Sequence, residues 1–146
     1  MASYYVHAVV SPPFPTGLLA DWECEILSAL GWELTPIAGG IQLFVDGEGW
    51  RDELEATDAP DLLAKLPSDL LHNGGDLGNY ALLQHLVVRH GLPYLTVEMS
   101  FTCSKMAPDG FGGAAYLITA DKIESVSTGE WLAEKLAAAG HGEPGP

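Results

Sequence analysis

Positive charge is what this chain has least of. Its 146 residues carry 6 Lys and Arg against 20 Asp and Glu, a formal net charge of −14 with His neutral. Free nucleic acid is not the expected ligand, because there is no basic excess to displace counterions from phosphates. Cysteine is scarce too. Cys24 and Cys103 stand far apart, and no pair has zinc-ligand spacing. They read as reduced thiols of a cytosolic protein, with a single long-range disulfide as the alternative. No apolar run reaches the roughly 18 residues of a membrane-spanning helix. The opening MASYYVHAVVSPPFP lacks a basic n-region and a long apolar stretch, so no secretory signal is expected.

What the chain does have is apolar mass. Hydrophobic residues make up 47% and charged residues 18%, too apolar a balance for intrinsic disorder. A chain of this length buries roughly two-thirds of its unfolded surface. The pattern predicts one compact α+β domain over residues 1–140, with an antiparallel sheet, three to four helices, and a mobile polar tail at 141–146.

Residues 4–10 (YYVHAVV) read as a strand that Pro12, Pro13 and Pro15 stop. Leu18, Trp22, Ile26 and Leu30 recur at four-residue spacing and predict an amphipathic helix from Thr16 to about Gly31. Residues 32–35 and 41–45 form a candidate hairpin around a turn at 36–40. Asp58 is the expected cap of a short helix carrying Leu62, Leu63 and Leu66, ended by Pro67. Asp76 or Asn79 is the expected cap of the next helix, which Gly91 closes. The clearest strand is 94–102, where Leu95, Val97, Met99 and Phe101 alternate with Thr96, Glu98, Ser100 and Thr102. A turn at Pro108-Asp109-Gly110 leads to a return strand at 114–119, and a short strand follows at 122–126. Ser127 with Glu130 three residues on is a capping box for a last helix, which Gly140 ends.

The distinctive chemistry is acidic. Asp46, Glu48, Asp52, Glu53, Glu55, Asp58 and Asp61 crowd sixteen residues against the one base Arg51. A solvated face that maintains solubility is one reading. A docking surface for a basic partner is the other, since such a potential attracts and speeds the encounter with a basic protein. A nucleic-acid-handling protein fits best, because its own surface is shaped for phosphates. A calcium loop is not expected, because the spacing fails the ligand pattern.

No other constellation is strong. His7, His72, His85, His90 and His141 show no metal spacing. Cys103, with Lys105 nearby, is a small residue at a strand end or a nucleophile awaiting a base. Residues 74–79 (GGDLGN) precede a helix but lack the lysine of a phosphate loop. Phe111-Gly112-Gly113 reads as a hairpin bulge packed by its own aromatic, or as an exposed contact. No cofactor, metal or catalytic residue is assigned.

Residues 101–132, through the order Cys-Ser-Lys-Met, Phe-Gly-Gly, Ile-Thr and Ser-Thr-x-x-Trp, resemble a stretch in small bacteriophage and mobile-element proteins. That covers about a fifth of the chain and carries no catalytic residue over. It implies a phage-type accessory protein in the bacterial cytoplasm. The leading expectation is a non-enzymatic factor whose 46–61 carboxylates occlude a basic protein, an inhibitor of a defence nuclease complex being one form. A small enzyme using Cys103 or a His–carboxylate pair is the second. A self-associating or virion-related component, joined through the polar face of 94–102 or the hairpin tip, is the third.

Overall fold

Alternation builds the sheet. In the computed structural model, which describes residues 4–47, 49–103 and 111–141, Leu95, Val97 and Met99 are buried while Glu98 and Ser100 point to solvent on strand β6 (Leu95–Cys103). The same period places Ala8 and Val10 of β1 (Tyr4–Pro15) and Leu43 and Val45 of β3 (Gly40–Gly47) on the buried side. Cα register aligns them in rows, Val45–Ala8–Met99 and Leu43–Val10–Val97. With β2 (Glu33–Ile37), β7 (Gly112–Ile118) and β8 (Ile123–Ser127), they form a six-stranded sheet in the order β2-β3-β1-β6-β7-β8. Each neighbouring pair is antiparallel.

The buried side meets helices α1 (Asp21–Ala29) and α3 (Asn79–His90). Ile26, Leu27 and Leu30 from the first, and Leu82, Leu83, Leu86 and Val87 from the second, join the strand residues in one core cluster. A two-stranded ribbon, β4 (Glu53–Leu54) with β5 (Leu77–Gly78), and a short helix α2 (Pro60–Leu63) belong to this same layer through Leu54, Leu63 and Leu77. A 3₁₀ turn (Ser68–Leu70) follows α2. Helix α4 (Thr128–Ala138) follows β8 directly and none of its residues is buried. The architecture is the expected α+β domain with an antiparallel sheet and four helices.

Local details depart from expectation for identifiable reasons. β1 does not stop at its prolines. Its pairing with β6 ends at Ser11, and its register against β3 shifts between Val10 and Phe14, so Pro12 and Pro13 fall where no ladder needs their missing N–H. The Ser11–Pro12 peptide is cis. Helix α1 starts at Asp21 rather than Thr16, because Gly17 at φ +81° turns the chain out of the helical region. Asp58 caps no helix. Its carboxylate accepts the Glu55 N–H at 2.7 Å and closes a turn, and α2 begins with Pro60 in its first turn. Neither Asp76 nor Asn79 caps α3: Asp76 accepts the Ala56 N–H at 2.9 Å, and Asn79 is buried and bonded elsewhere. Gly91 in the left-handed region (φ 63°) does end α3, and Ser127 does cap α4 by accepting the Glu130 N–H at 3.2 Å. Pro108-Asp109-Gly110 and 142–146 lie outside the described residues.

Candidate protein-docking face

Only one side of the sheet carries the α1–α3 layer. The opposite side is read along the complementary rows. One runs Asp46–His7–Ser100, and the next runs Glu33–Phe44–Val9–Glu98–Ala115–Val126. These side chains lie between strands whose backbone groups are paired, so the face offers side-chain chemistry and little backbone chemistry. A hollow of about 600 Å³ opens on it, lined by His7, Val9, Glu33, Phe44, Asp46 and Glu98 among others. Three carboxylates therefore surround one imidazole and a phenyl ring. His7 Nε2 stands 2.8 Å from Asp46 Oδ1, with both side chains at least half exposed. An exposed pair of this kind contributes little stability, about 0–1 kcal/mol, and leaves both groups open to a partner.

Farther along the same face, two hollows of about 490 and 400 Å³ lie over β6, β7 and β8. Ala115, Leu117 and Val126 give them an apolar floor, and Trp131 of α4 borders the second. The two glycines before Ala114 serve close approach: Gly113 N–H donates to Thr128 Oγ1 at 3.1 Å, and a Cβ at Gly112 would stand 3.4 Å from that oxygen. Phe111 is 48% exposed, so it does not pack its own bulge.

The seven carboxylates singled out in the sequence do not share one element. Asp46 is on the open sheet face. Glu48 lies outside the described residues. Glu53 is on the β4–β5 ribbon, with Oε2 3.0 Å from His72 Nε2. Asp58 accepts from Arg51 Nη2 at 2.7 Å. Asp52, Glu55 and Asp61 are exposed on the same stretch of the helical layer and form no ion pair among the described residues. The backbone N–H of Glu55, followed by the Arg51 guanidinium, holds the Asp58 carboxyl below its ordinary value.

Chemistry of a catalytic kind is poorly served. Ser100, His7 and Asp46 are neighbours in one row, the residue types of an acyl-transfer triad. The ring nitrogen that would activate serine is instead the one facing Asp46, and the open, half-exposed setting excludes no water. Cys24 and Cys103 are free thiols, which removes the disulfide alternative. Burial, then the charges of Asp21 and Glu23, push the Cys24 thiol upward, away from a reactive thiolate. Cys103 is half-buried at the end of β6, opposite Tyr4. Tyr80, raised mainly by burial, stacks on Tyr116 at 4.1 Å and donates to Met99 Sδ at 3.5 Å as a core residue. Among the described residues no three His, Cys, Asp or Glu side chains converge to hold a metal ion. No helix among them is long and apolar enough to cross a membrane.

Sequence reasoning missed Glu33, Glu98 and His7 as companions of Asp46. The alternation of 94–102 did mark Glu98 and Ser100 as a polar face. The missing information was strand order, which sets β6 beside β1 and β1 beside β3. Comparison of the chain with protein-family models, with curated proteins and with solved structures gives no match.

Proposed function

We propose that this chain is a non-enzymatic acidic accessory protein that docks a basic, nucleic-acid-handling protein on its uncovered sheet face and occludes that protein's phosphate-binding surface. The observation that carries the reading is the cluster of Glu33, Asp46 and Glu98 around His7 and Phe44 on a face that no helix of the α1–α3 layer covers. Carboxylates at strand spacing offer Lys and Arg side chains the charge they otherwise find on phosphates, and Phe44 offers an apolar contact at the centre. The acids from Asp52 to Asp61 add a long-range field that draws a basic protein in before it docks. The resemblance of residues 101–132 to phage and mobile-element proteins supports one concrete form, an inhibitor of a bacterial defence nuclease complex.

The test is capture from bacterial lysate with a salt gradient, using wild type and two variants matched in charge. One neutralises the sheet face (Glu33→Gln, Asp46→Asn, Glu98→Gln), the other the helical layer (Asp52→Asn, Glu55→Gln, Asp61→Asn). The expected result is a basic nucleic-acid-binding protein that the sheet-face variant loses. The helical-layer variant keeps it, with association slowed about tenfold at low salt. Retention by the sheet-face variant, or equal loss by both, overturns the reading.

A further inference from the structure

We propose that two copies of this chain associate about a two-fold axis through the β8 edge, each α4 laying its apolar stripe over the β7–β8 face of the other. Three independent features meet at this end of the molecule. The first is exposed apolar surface: Leu117 and Val126 on the open sheet face and Trp131, Leu132 and Leu136 on α4 are each between 38% and 54% exposed, five within twenty residues, while Ile123, paired with Ile118, lies on the other face of the same edge strand. Scattered single apolar residues are ordinary on a surface, whereas a contiguous set on a strand pair and the helix that follows marks an interface.

The second feature is the strand edge. Among the described residues β8 is the last strand of the sheet, and its outer backbone groups have no strand neighbour. The opposite edge, β2, carries Pro36, which blunts pairing there. β8 (IESVS) has no proline, and its Glu124 is offset by Lys122 Nζ at 3.4 Å. Antiparallel pairing of an edge with its own copy is self-complementary, as a two-fold contact requires. The lengths agree. α4 has 11 residues, about 16 Å as a helix, and β8 has 5 residues, about 17 Å as a strand. One partner's helix therefore spans the other's edge.

The third feature is charge, which selects the occupant. Residues 111–141 hold Asp121, Glu124, Glu130 and Glu134 against Lys122 and Lys135, a net of −2 within a chain at −14. Two acidic copies repel least at this end, while a basic partner is drawn to the other half of the sheet. Lys135 sits 5.6 Å from the Trp131 ring, which keeps a positive group over the apolar stripe. This association leaves His7, Asp46 and Glu33 open and shares only Glu98 with the basic-partner site, so it is tested without any partner.

Sedimentation velocity on the purified full chain, without any partner, from about 1 to about 200 µM tests it. The expected result is a mass that rises from 15.5 kDa to twice that value, with added salt leaving the dimer unchanged or tighter, the opposite sign to binding of a basic protein. Leu132→Glu and Val126→Glu, both at exposed positions, should each weaken the dimer at least about tenfold while far-UV circular dichroism stays unchanged. Ile37→Glu at the opposite edge should not. A monomer at every concentration overturns the proposal. So does a dimer indifferent to Leu132→Glu and Val126→Glu, or one broken equally by Ile37→Glu.

Discussion

Glu23 of α1 and His90 at the end of α3 meet inside the protein, Oε2 to Nε2 at 3.0 Å, with the Glu23 side chain fully buried. The carboxylate also accepts the Ala20 N–H at 2.8 Å and lies 3.2 Å from Arg89 Nε, whose guanidinium stands 5.3 Å from the Trp22 ring. One side chain thus caps its own helix and ties α1 to α3, the two helices that cover the sheet. Glu23→Ala should cost about 3 kcal/mol in urea unfolding, since it removes the acceptor of a part-buried N–H and the partner of both the Arg89 guanidinium and the His90 ring. Glu23→Gln keeps an acceptor for Ala20 and should cost clearly less. Equal costs would mean that the cap contributes nothing beyond the contacts to Arg89 and His90.

Gly31 sits at φ +102° just past α1, and a Cβ there would stand 2.2 Å from the Gly49 carbonyl oxygen and 2.7 Å from Trp50 Cα. The chain leaving β3 crosses at this point, with Arg51 N–H donating to the Leu30 carbonyl at 3.0 Å. Gly31→Ala should therefore destabilise by about 3 kcal/mol or more, through backbone strain and overpacking together. Gly39→Ala, at φ +80° with nothing near its Cβ position, carries the strain alone and should cost about 1 kcal/mol. Thermal melts of the two variants side by side check the difference.

What was legible in the sequence follows from range. The alternation of 95–102 and the Ser127–Glu130 cap are local, and both appear in the fold. The spacing extends α1 too far toward the N-terminus because Leu18 and Leu19 continue it, although they pack against the core from a turn. Glu23 looked like one more polar position on an amphipathic helix, and its burial depends on α3, 67 residues away. The number of acids in 46–61 was plain. Their division between the open sheet face and the helical layer was not, because it depends on where β4 pairs with β5 and β3 with β1.

Asn79 illustrates the same limit and gives a sharp test. As a polar residue opening a helix it reads as a cap, yet its Oδ1 accepts from Trp32 Nε1 at 2.7 Å and its Nδ2 donates to the Arg51 carbonyl at 2.8 Å. Both bonds are to partners distant in sequence, and Asn79 is fully buried. Asn79→Ala should leave the indole N–H and a carbonyl unpaired and lower stability by about 2–4 kcal/mol. Trp32 fluorescence should shift as its hydrogen bond is lost. An unchanged urea midpoint would show that neither bond matters.

The pH dependence of stability should carry two separable contributions. Burial holds the His85 imidazole below its ordinary value; the charges of Arg89 and His90 act the same way, and those of Glu23 and Asp69 oppose. The folded chain then binds fewer protons than the unfolded chain just below the ordinary value of about 6.5. Stability should fall as pH drops through that range, and it should stop falling from this source once the folded imidazole is protonated too. His85→Gln should flatten this part of the curve. Asp58 acts lower. Its folded value is depressed by the Glu55 N–H and then by Arg51, so its contribution is present above the ordinary carboxyl value of about 3.9. It is lost as pH falls through the depressed one. Asp58→Asn should lower stability at neutral pH, and the gap from wild type should close only below about pH 4. Urea unfolding of wild type and the two variants between about pH 3 and 8 resolves the two windows. A His85→Gln curve parallel to wild type from pH 7 to 5 would remove the histidine from the account.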